Sequence, residues 1–517
     1  MEEQVIKTDT GVIKARYMKL SQTRSAILER ARECAALTIP SLLPPEGNTE
    51  TMTLPTPYQS LGARGVNNLA SKLLLALLPP NQAFFRLVIS DKVLADLQVL
   101  NQKTEIEKKL NQMEREIMTW IETNALRVSS FEALKLLIVT GNALEYLPDE
   151  GGMKVYKLDQ YVIKRDPMGN VLEIIIQEKI HPEVLPQEIQ QAIKTSETYT
   201  NEKSVELYTW VRRENNLWKV SQEAAGIPIP SSEGSYPIDD CPWIPLRWTA
   251  VNGEDYGRGF VEEYLGDFRF LDGVMAALYK FAAAASKIVF LVDPNGTTDV
   301  RDLANAKSGD FKKGRADDIS VLQVEKYYDY QVANDIRRDV EQRLSQAFLL
   351  MSSFQRDAER VTAEEIRQMA KELEDSLGGV YSVLSQEKQL PLIRRVMSQM
   401  RKQGRLPLLP KEVVEPMIVT GLEALGRGHD LNKLQIFKEF IRDIPSASER
   451  LKAVTFMERA GTALGIDTNG LFMTDEEWAD AMNQAQMAQL AQGALPGVAQ
   501  EVTKGIMDSA QATPEAG

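Results

Sequence analysis

The sequence has few of the residues on which most metal and catalytic sites depend. It contains two histidines, His181 and His429, and two cysteines, Cys34 and Cys241. A histidine-based zinc site or a Ser-His-Asp triad would have to rely on one histidine alone, and neither has ligand spacing around it. Two thiols far apart in sequence form no disulfide framework, so we expect both to be reduced and buried. We therefore predict no catalytic residue, no metal site and no cofactor.

Long apolar runs are also missing. The longest, such as LLLALL at 73–78, fall well short of the roughly 18 residues that cross a bilayer. The N-terminal stretch MEEQVIKTDTGVIKARYMKL has no apolar core behind a basic start, so we expect no secretory signal. These absences predict a protein made in the cytosol, with no membrane partner.

Excess positive charge is absent too. The sequence has 60 Lys and Arg against 73 Asp and Glu, a net charge of -13, which argues against a protein whose task is tight non-specific DNA binding. A channel for DNA inside the protein is still compatible with this charge. A mostly acidic lining does not bind phosphate tightly, so duplex DNA can slide along it. The composition, 43% hydrophobic and 26% charged over 517 residues, is globular, with length for about two to four packed units.

Three glycine motifs are similar to ligand-binding loops but fail on context. GDFKKGRA (309–316) and GLEALGRG (421–428) have the frame of a phosphate loop, but they lack the Lys-Ser/Thr pair that contacts phosphate and magnesium. GARG (62–65) has the form of an RNA-backbone clamp without its strands or a basic surface. We interpret all three as structural, and GARG as packing or a helix-entry turn.

Apolar periodicity predicts helices over 13–150, then a β-rich insertion. One clear helical stripe, ended by Pro79 and Pro80, is formed by Val66, Leu69, Ala70, Leu73 and Leu77. From about 154 to 250 apolar and polar residues alternate, with turn residues at Asp166–Asn170 and Glu214–Asn216. The fold class predicted is mainly α with a β-rich insertion, that is, α+β.

The C-terminal half predicts a helical hairpin and further helices. Helical patterns at 260–287 and 333–351 flank two short apolar strands, 287–292 and 319–324. A polar stretch, SSFQRDAER, follows, and Thr362 with Glu365 then forms a capping box. Glycines at 378 and 379 predict a kink in the helix that begins at Thr362. Residues 411–465 continue helical, and 493–517 are expected to be disordered.

Four stretches carry a resemblance to a known family. They are TPYQSLGARGVNNLASKLLLALLPP (56–80), NGEDYGRGFVEEYLGDFRFLDGV (252–274), ERVTAEEIRQMAKELEDSLGGVYSVLSQEKQLPLI (359–393) and EPMIVTGLEALGRG (415–428). In order and spacing they resemble the portal, or head-to-tail connector, proteins of short-tailed podoviruses. The resemblance implies a non-enzymatic dodecameric ring at one capsid vertex, a channel for packaging and ejecting double-stranded DNA.

The resemblance also implies regions and partners. The regions are an N-terminal helical wing (1–153), a β-rich wing (154–256), a first stem helix (257–287), a clip (288–331), a second stem helix (332–351), a tunnel loop (352–361), a long kinked wing helix (362–404), a helical crown (405–492) and the disordered tail (493–517). The partners are DNA, the terminase large subunit, major capsid and scaffolding proteins, internal core proteins and tail adaptor proteins. The implied location is the virion, at the portal vertex between head and tail, after assembly in the host cytoplasm.

The resemblance places two groups of site residues. The channel group is Ser352, Ser353, Phe354, Gln355, Arg356, Asp357, Glu359, Arg360 and Arg367. The clip group is Lys312, Lys313 and Arg315, in contact with DNA or a docked partner. Salt bridges between subunits remain an alternative for the channel charges, and a plain solvated loop for the clip cations. A nucleic-acid-processing enzyme with an unusual site and a helical scaffold without a channel are the competing functions.

Overall fold

The computed structural model describes nine continuous segments of the chain. They are residues 11–48, 51–80, 83–89, 103–195, 204–285, 289–322, 327–350, 379–406 and 414–418, with isolated helical positions between 373 and 483. Residues Met1–Ala424 form one compact unit and Leu425–Gly517 a second, of which only short helical stretches are described. The architecture mixes helix and sheet, in agreement with the α+β prediction.

The helices and strands, numbered along the chain, have the following bounds. The helices are α1 (Val12–Ala36), α2 (Leu61–Leu77), α3 (Lys103–Thr123), α4 (Leu126–Thr140), α5 (Gln187–Thr195), α6 (Phe260–Glu263), α7 (Leu265–Ala285), α8 (Val300–Ala304), α9 (Tyr327–Ala347), α10 (Gly379–Leu384) and α11 (Leu390–Lys402). The strands are β1 (Phe85–Ile89), β2 (Asn142–Tyr146), β3 (Lys154–Tyr156), β4 (Tyr161–Arg165), β5 (Val171–Ile180), β6 (Val205–Glu214), β7 (Leu217–Ala224), β8 (Ile227–Pro237), β9 (Trp243–Arg247), β10 (Val289–Val292), β11 (Ile319–Leu322) and β12 (Val414–Ile418).

The predicted stripe of α2 is buried. Its members, at 0% exposure, are Val66, Leu69, Ala70, Leu73 and Leu77. Gly62 and Gly65 lie in the first turns of the helix, where a Cβ at Gly62 would lie 2.8 Å from the Leu37 carbonyl oxygen and one at Gly65 would lie 2.8 Å from Phe348 Cγ. The GARG motif therefore serves packing, because only glycine permits these two close approaches.

Three strands lie where the sequence pattern predicts helix. β1 pairs with β12, and β2 pairs with both β3 and β9, all antiparallel. The prediction of helix throughout 13–150 and 411–465 is wrong at these strands. The reason is physical: β1 and β12 are stabilised by pairing with a distant part of the chain, and a local apolar period carries no trace of that partner.

The β-rich insertion is confirmed as a five-stranded antiparallel sheet in the order β4-β5-β6-β7-β8. The predicted turn at Asp166 is closed by the Asp166 N to Asn170 O hydrogen bond of 2.8 Å. At the second turn, Asn215 and Asn216 both adopt positive φ, at 47° and 64°. This is the conformation that a two-residue hairpin with right-handed strand twist favours, and Asn tolerates it well.

Helix α1 packs across this sheet and is capped by it. The Glu223 carboxylate of β7 accepts hydrogen bonds from the backbone N–H groups of Ile13, at 3.0 Å, and Lys14, at 3.3 Å. It thus satisfies donors that a helix N-terminus leaves open and places negative charge at the positive end of the helix dipole. Tyr17 then meets Tyr208 of β6 edge to face, with 5.3 Å between ring centroids.

A π-helical turn, Ser385–Gln389, joins α10 to α11. Of the two glycines at which a kink is predicted, Gly378 lies outside the described residues and Gly379 begins α10. The irregularity that the structure describes begins six residues after Gly379, at Ser385, and it places consecutive residues toward the interior. Glu387 accepts hydrogen bonds from the backbone N–H and the Nε of Arg247, both at 3.0 Å.

The next two residues of the turn, Lys388 and Gln389, are fully buried. Lys388 Nζ forms an ion pair with the Glu145 carboxylate of β2, both side chains being 0% exposed, and donates to Ser130 Oγ at 3.1 Å. Gln389 Nε2 donates to the Leu77 carbonyl at the end of α2, at 2.6 Å. The π-helical turn thus ties α11 to helix α2 and strand β2.

Arg395 of α11 is a second fully buried cation. Its Nη1 donates to Asp240 Oδ1 at 2.9 Å, its Nη2 to Asp149 Oδ1 at 2.7 Å, and its Nε to the Leu147 carbonyl at 2.9 Å. Ser398 donates to the other oxygen of Asp240 at 2.6 Å. The guanidinium is therefore satisfied on three sides, which is what a buried charge requires.

Candidate functional site

Helices α7 and α9 form an antiparallel hairpin, which we name the rod. Near one end Arg343 Nη2 of α9 lies 3.0 Å from Asp267 Oδ1 of α7, and near the other Phe281 stacks on Tyr330 with centroids 5.6 Å apart. Because the contacts run in opposite directions along the two helices, the pair is antiparallel. Each helix has 21 residues, so the rod is about 30 Å long. The two helical patterns predicted at 260–287 and 333–351 thus form one hairpin within the described residues, and its second helix begins at Tyr327.

The rod is fixed at its base by an aromatic cluster around Phe348, the residue after α9. Phe348 is fully buried, with its ring centroid 5.1 Å from Phe260, 6.0 Å from Tyr264 and 5.7 Å from Phe268. Tilted and edge-to-face rings at this spacing add to the energy of apolar burial. Since Gly65 of α2 leaves the space for Phe348, the base of the rod depends on the GARG motif.

Polar contacts attach the same rod to the N-terminal helices. Arg269 donates two hydrogen bonds to the Glu33 carboxylate, at 2.5 and 2.6 Å, and they hold the pKa of Glu33 below its usual value. Asp272 accepts the backbone N–H of Tyr58 at 2.6 Å, and the Tyr58 ring lies 6.0 Å from Tyr279. The segment before α2 therefore packs against α7.

The rod exposes apolar side chains to solvent. The large ones are Phe270, Tyr279, Tyr330, Val332 and Ile336. They lie on both helices. Contiguous apolar surface in water is unfavourable, by roughly 25 cal/mol per Å² left exposed, and such surface marks contact sites when several side chains lie on one element. The rod therefore carries several exposed apolar side chains on both of its helices.

Between the two helices of the rod the chain forms a small hairpin, residues 289–322, which we name the tip domain. β10 and β11 pair antiparallel from Val289 opposite Leu322 to Val292 opposite Ile319. This confirms the two strands predicted at 287–292 and 319–324, within the described residues. Asp299 caps the short helix α8 by accepting the Arg301 N–H at 2.8 Å.

The Asp318 carboxylate closes the tip domain. It accepts hydrogen bonds from Thr297 N and Thr298 Oγ1, both at 2.9 Å, and the bond from Thr298 contributes most to lowering the pKa of Asp318. Thr298 Oγ1 in turn accepts the Arg315 N–H at 3.0 Å, and a Cβ on Gly314 would lie 2.5 Å from that oxygen. These contacts fix the two loops of the tip domain to each other.

The predicted clip cations, Lys312, Lys313 and Arg315, are all exposed on one loop of the tip domain. The structure adds a residue that the sequence analysis missed. Phe311, directly before Lys312, is 103% exposed. The signal was present in GDFKKGRA, where one large apolar residue stands alone in a polar loop. The structure therefore brings an aromatic ring and three cations together on one short segment.

The predicted channel residues lie outside the described part of the chain. They are Ser352, Ser353, Phe354, Gln355, Arg356, Asp357, Glu359, Arg360 and Arg367. The structure describes the segment that leads to them: the Leu349 carbonyl accepts hydrogen bonds from Asn68 Nδ2, at 3.0 Å, and from Lys72 Nζ, at 2.9 Å. The segment entering the predicted loop is thus held by α2.

The described segments hold neither a metal-binding cluster nor a membrane-spanning helix. Within the described segments, no group of three or more His, Cys, Asp or Glu is arranged to hold a metal ion. Over the same residues, no helix has the length and apolar character that crossing a bilayer requires. Of the two thiols predicted to be buried, Cys34 is buried and Cys241 is partly buried, and desolvation raises the pKa of each to about 12. Cys34 therefore packs as a small apolar side chain.

Comparison with known proteins gives one family match and several similar proteins. Residues 10–471 match the family described as bacteriophage head to tail connecting protein. The portal protein of Escherichia phage T7 is 42% identical over 97% of this chain and 95% of its own length. That of Enterobacteria phage T3 is 43% identical over the same shares of both chains. In a solved structure, the neck of a native gene transfer agent particle, the matching chain has a TM-score of 0.34 at 10% identity, over 79% of this chain and 90% of its own.

The family match covers the four motifs that carry the resemblance. They lie in the matched range, and the two phage proteins align across almost the whole chain. The resemblance inferred from the motifs is confirmed. The chain therefore belongs to the bacteriophage head to tail connecting protein family.

Proposed function

We propose that the chain is the subunit of a portal. In this proposal twelve copies form a ring at one capsid vertex, and double-stranded DNA enters and later leaves through the central channel. The observation that carries the proposal is similarity along nearly the full length to proteins named portal proteins in T7 and T3. The task is conduction and docking rather than bond chemistry, so the proposal includes no enzymatic activity.

The rod supports ring formation. We assign α7 and α9 to the stem, the tip domain to the clip, residues 1–256 to the wing and 405–492 to the crown. The exposed apolar side chains of the rod, among them Tyr279 and Ile336, then pack against the rods of neighbouring copies. A contact between one rod and the next closes a ring when the rotation from copy to copy divides a full turn with no rise along the axis.

The docking and location follow from the same proposal. The terminase large subunit docks on the clip during packaging, and tail adaptor proteins replace it afterwards. Major capsid and scaffolding proteins contact the wing, internal core proteins contact the crown, and the ring assembles in the host cytoplasm before it becomes the portal vertex of the virion. Family membership supports a location at the connection of head and tail.

Negative-stain microscopy of the purified protein tests the ring. We expect closed rings with a central hole, and we expect Ile336→Lys to shift the protein toward smaller species, because a buried unpaired ammonium at a subunit contact is strongly unfavourable. Met168→Lys is the matched control, since Met168 is 87% exposed on a turn of the β-rich wing. Monomers or open filaments from the unaltered protein, over a range of concentrations, would remove the proposal.

Two arginines test the channel. In the proposal Arg356, Arg360 and Arg367 meet DNA phosphate, while Asp357 and Glu359 limit retention. We expect the double variant Arg360→Ala, Arg367→Ala to leave rings intact and to alter DNA packaging or retention, because two phosphate contacts per subunit are lost. Packaged DNA per particle and its loss during storage are the measurements. Unchanged values in infectious particles would exclude a role for these side chains, and loss of the rings would assign them to subunit salt bridges instead.

A further inference from the structure

We infer that Phe311 is the aromatic anchor of the clip, and that it inserts into an apolar pocket with an acidic rim on a tail adaptor protein. The inference rests on the proposed function, which turns the clip toward the tail. It adds the residue that supplies the contact and the chemistry of the surface that receives it.

The exposure of Phe311 is the first observation. At 103% it has the greatest exposed fraction of any large apolar side chain in the described segments. Single exposed apolar residues are common on protein surfaces, so exposure alone carries little weight. What distinguishes Phe311 is that it is an aromatic ring, the side-chain type enriched among residues that dominate binding energy, and that it lies on a loop held at both ends.

The loop around Phe311 is held by hydrogen bonds on either side. Before it, Asp310 N donates to the Lys307 carbonyl at 3.0 Å, and Lys307 N donates to Asp310 Oδ2 at 2.9 Å. After it, Arg315 N donates to Thr298 Oγ1 at 3.0 Å. Only a few residues remain between these fixed points. A loop ordered before binding loses less conformational entropy when it binds, which favours its use as a docking element.

The charge around the ring indicates what the partner surface contains. Lys312, Lys313 and Arg315 are exposed, while the carboxylates of Asp310 and Asp318 already accept hydrogen bonds inside the tip domain. The short stretch 311–315 beside the ring therefore carries three exposed cations and no carboxylate, with Asp310 before it and Asp317 and Asp318 after it, although the whole chain carries -13. Complementary potentials across an interface favour a partner whose pocket is lined at its edge by Asp or Glu.

A protein pocket suits Phe311 better than duplex DNA does. Inserting an aromatic ring between base pairs costs unstacking, and proteins that do so also bend the duplex. DNA contacts by the three cations alone would leave the ring in water. The partner is placed on the tail side because the family to which the chain belongs is described as connecting head to tail.

Repetition in the ring strengthens the contact. Each subunit presents one Phe311, so a ring presents as many anchors as it has copies, and several modest contacts combine into a stable attachment once the first has formed. Removing the ring from every subunit at once therefore has a larger effect on attachment than one contact alone predicts.

Purified rings and the purified tail adaptor protein of the same phage provide the test. Phe311→Ala is expected to weaken binding of adaptor to rings by about tenfold or more, while Phe311→Trp keeps it within about threefold, since an aromatic ring is retained. Met168→Ala, at another exposed apolar residue, is expected to leave binding unchanged. Lys312→Glu with Lys313→Glu is expected to slow association most at low salt.

The outcomes separate this inference from the proposed function. Intact rings that bind adaptor equally well with and without the Phe311 side chain overturn the anchor and leave the portal proposal in place. Unaltered protein that forms no rings overturns the portal proposal itself. The anchor as stated is also overturned if Phe311→Ala loses terminase binding but keeps adaptor binding. The same holds if the lysine variant loses DNA binding while Phe311→Ala has no effect.

Discussion

Lys388→Met is expected to lower the free energy of unfolding by about 3–5 kcal/mol, the cost of leaving a buried charge without its partner. Lys388 and Glu145 are both 0% exposed, and the ammonium is the ionic partner of that carboxylate. Met has similar length and no charge, so it fills the space while the Glu145 carboxylate loses its counter-ion. Urea denaturation followed by tryptophan fluorescence measures the change.

Two further variants make this result specific to the ion pair. Lys388→Met combined with Glu145→Leu is expected to recover most of the lost stability, because replacing a whole buried pair by apolar groups is often near neutral. Lys312→Met, at an exposed lysine, is expected to change the free energy of unfolding by no more than about 0.5 kcal/mol. A single Lys388 variant as stable as the unaltered protein would show that Glu145 does not depend on it.

Phe348→Ala is expected to cost about 3–5 kcal/mol, within the range for removing a buried aromatic ring. The ring fills the junction between Gly65 of α2 and the aromatic side chains of Phe260 and Phe268. Its loss leaves a cavity where the rod joins the rest of the unit. We expect a lower melting temperature together with faster amide hydrogen exchange in α7.

Phe311→Ala is the matched control for Phe348→Ala, since it is the same substitution at a fully exposed ring. Measured without a docking partner, it is expected to shift stability by at most about 0.5 kcal/mol. The packing role of Phe348 would be contradicted if the two variants melted together, or if exchange in α7 stayed as slow as in the unaltered protein.

Several features of this fold follow from neighbouring residues, and they could be predicted. The α2 stripe, the Asn215–Asn216 turn, the strands of the β-rich insertion and the two rod helices all depend on periods or turn preferences within a short stretch of chain. The same applies to the exposed cations of the clip, which stand in a polar loop. Family membership was also accessible, because the motifs that indicate it are contiguous.

The features that depend on distant residues were missed. β1 was wrongly predicted to be helical. Its partner strand β12 lies more than 300 residues later in the sequence, so the residues around β1 give no sign of the pairing. The Lys388 pair and the Phe348 cluster gave no signal either: a lysine in a helical pattern is normally solvated, and Phe348 follows its helix as one more apolar residue. For Phe311 the sequence offered a signal, a lone aromatic residue in a polar loop, but only the structure shows that its ring is exposed.

Local order along the chain thus decided which segments become helices, turns and hairpins, because their energies depend on residues a few positions apart. Tertiary structure alone decided which charges are buried, which glycine meets which ring and where two strands find each other. The physical reason is that desolvation and packing are properties of the surroundings of a side chain, and distant parts of the chain supply those surroundings. Glu145 and Lys388 show this most clearly, since each is a stable buried charge only because the fold brings the other to it.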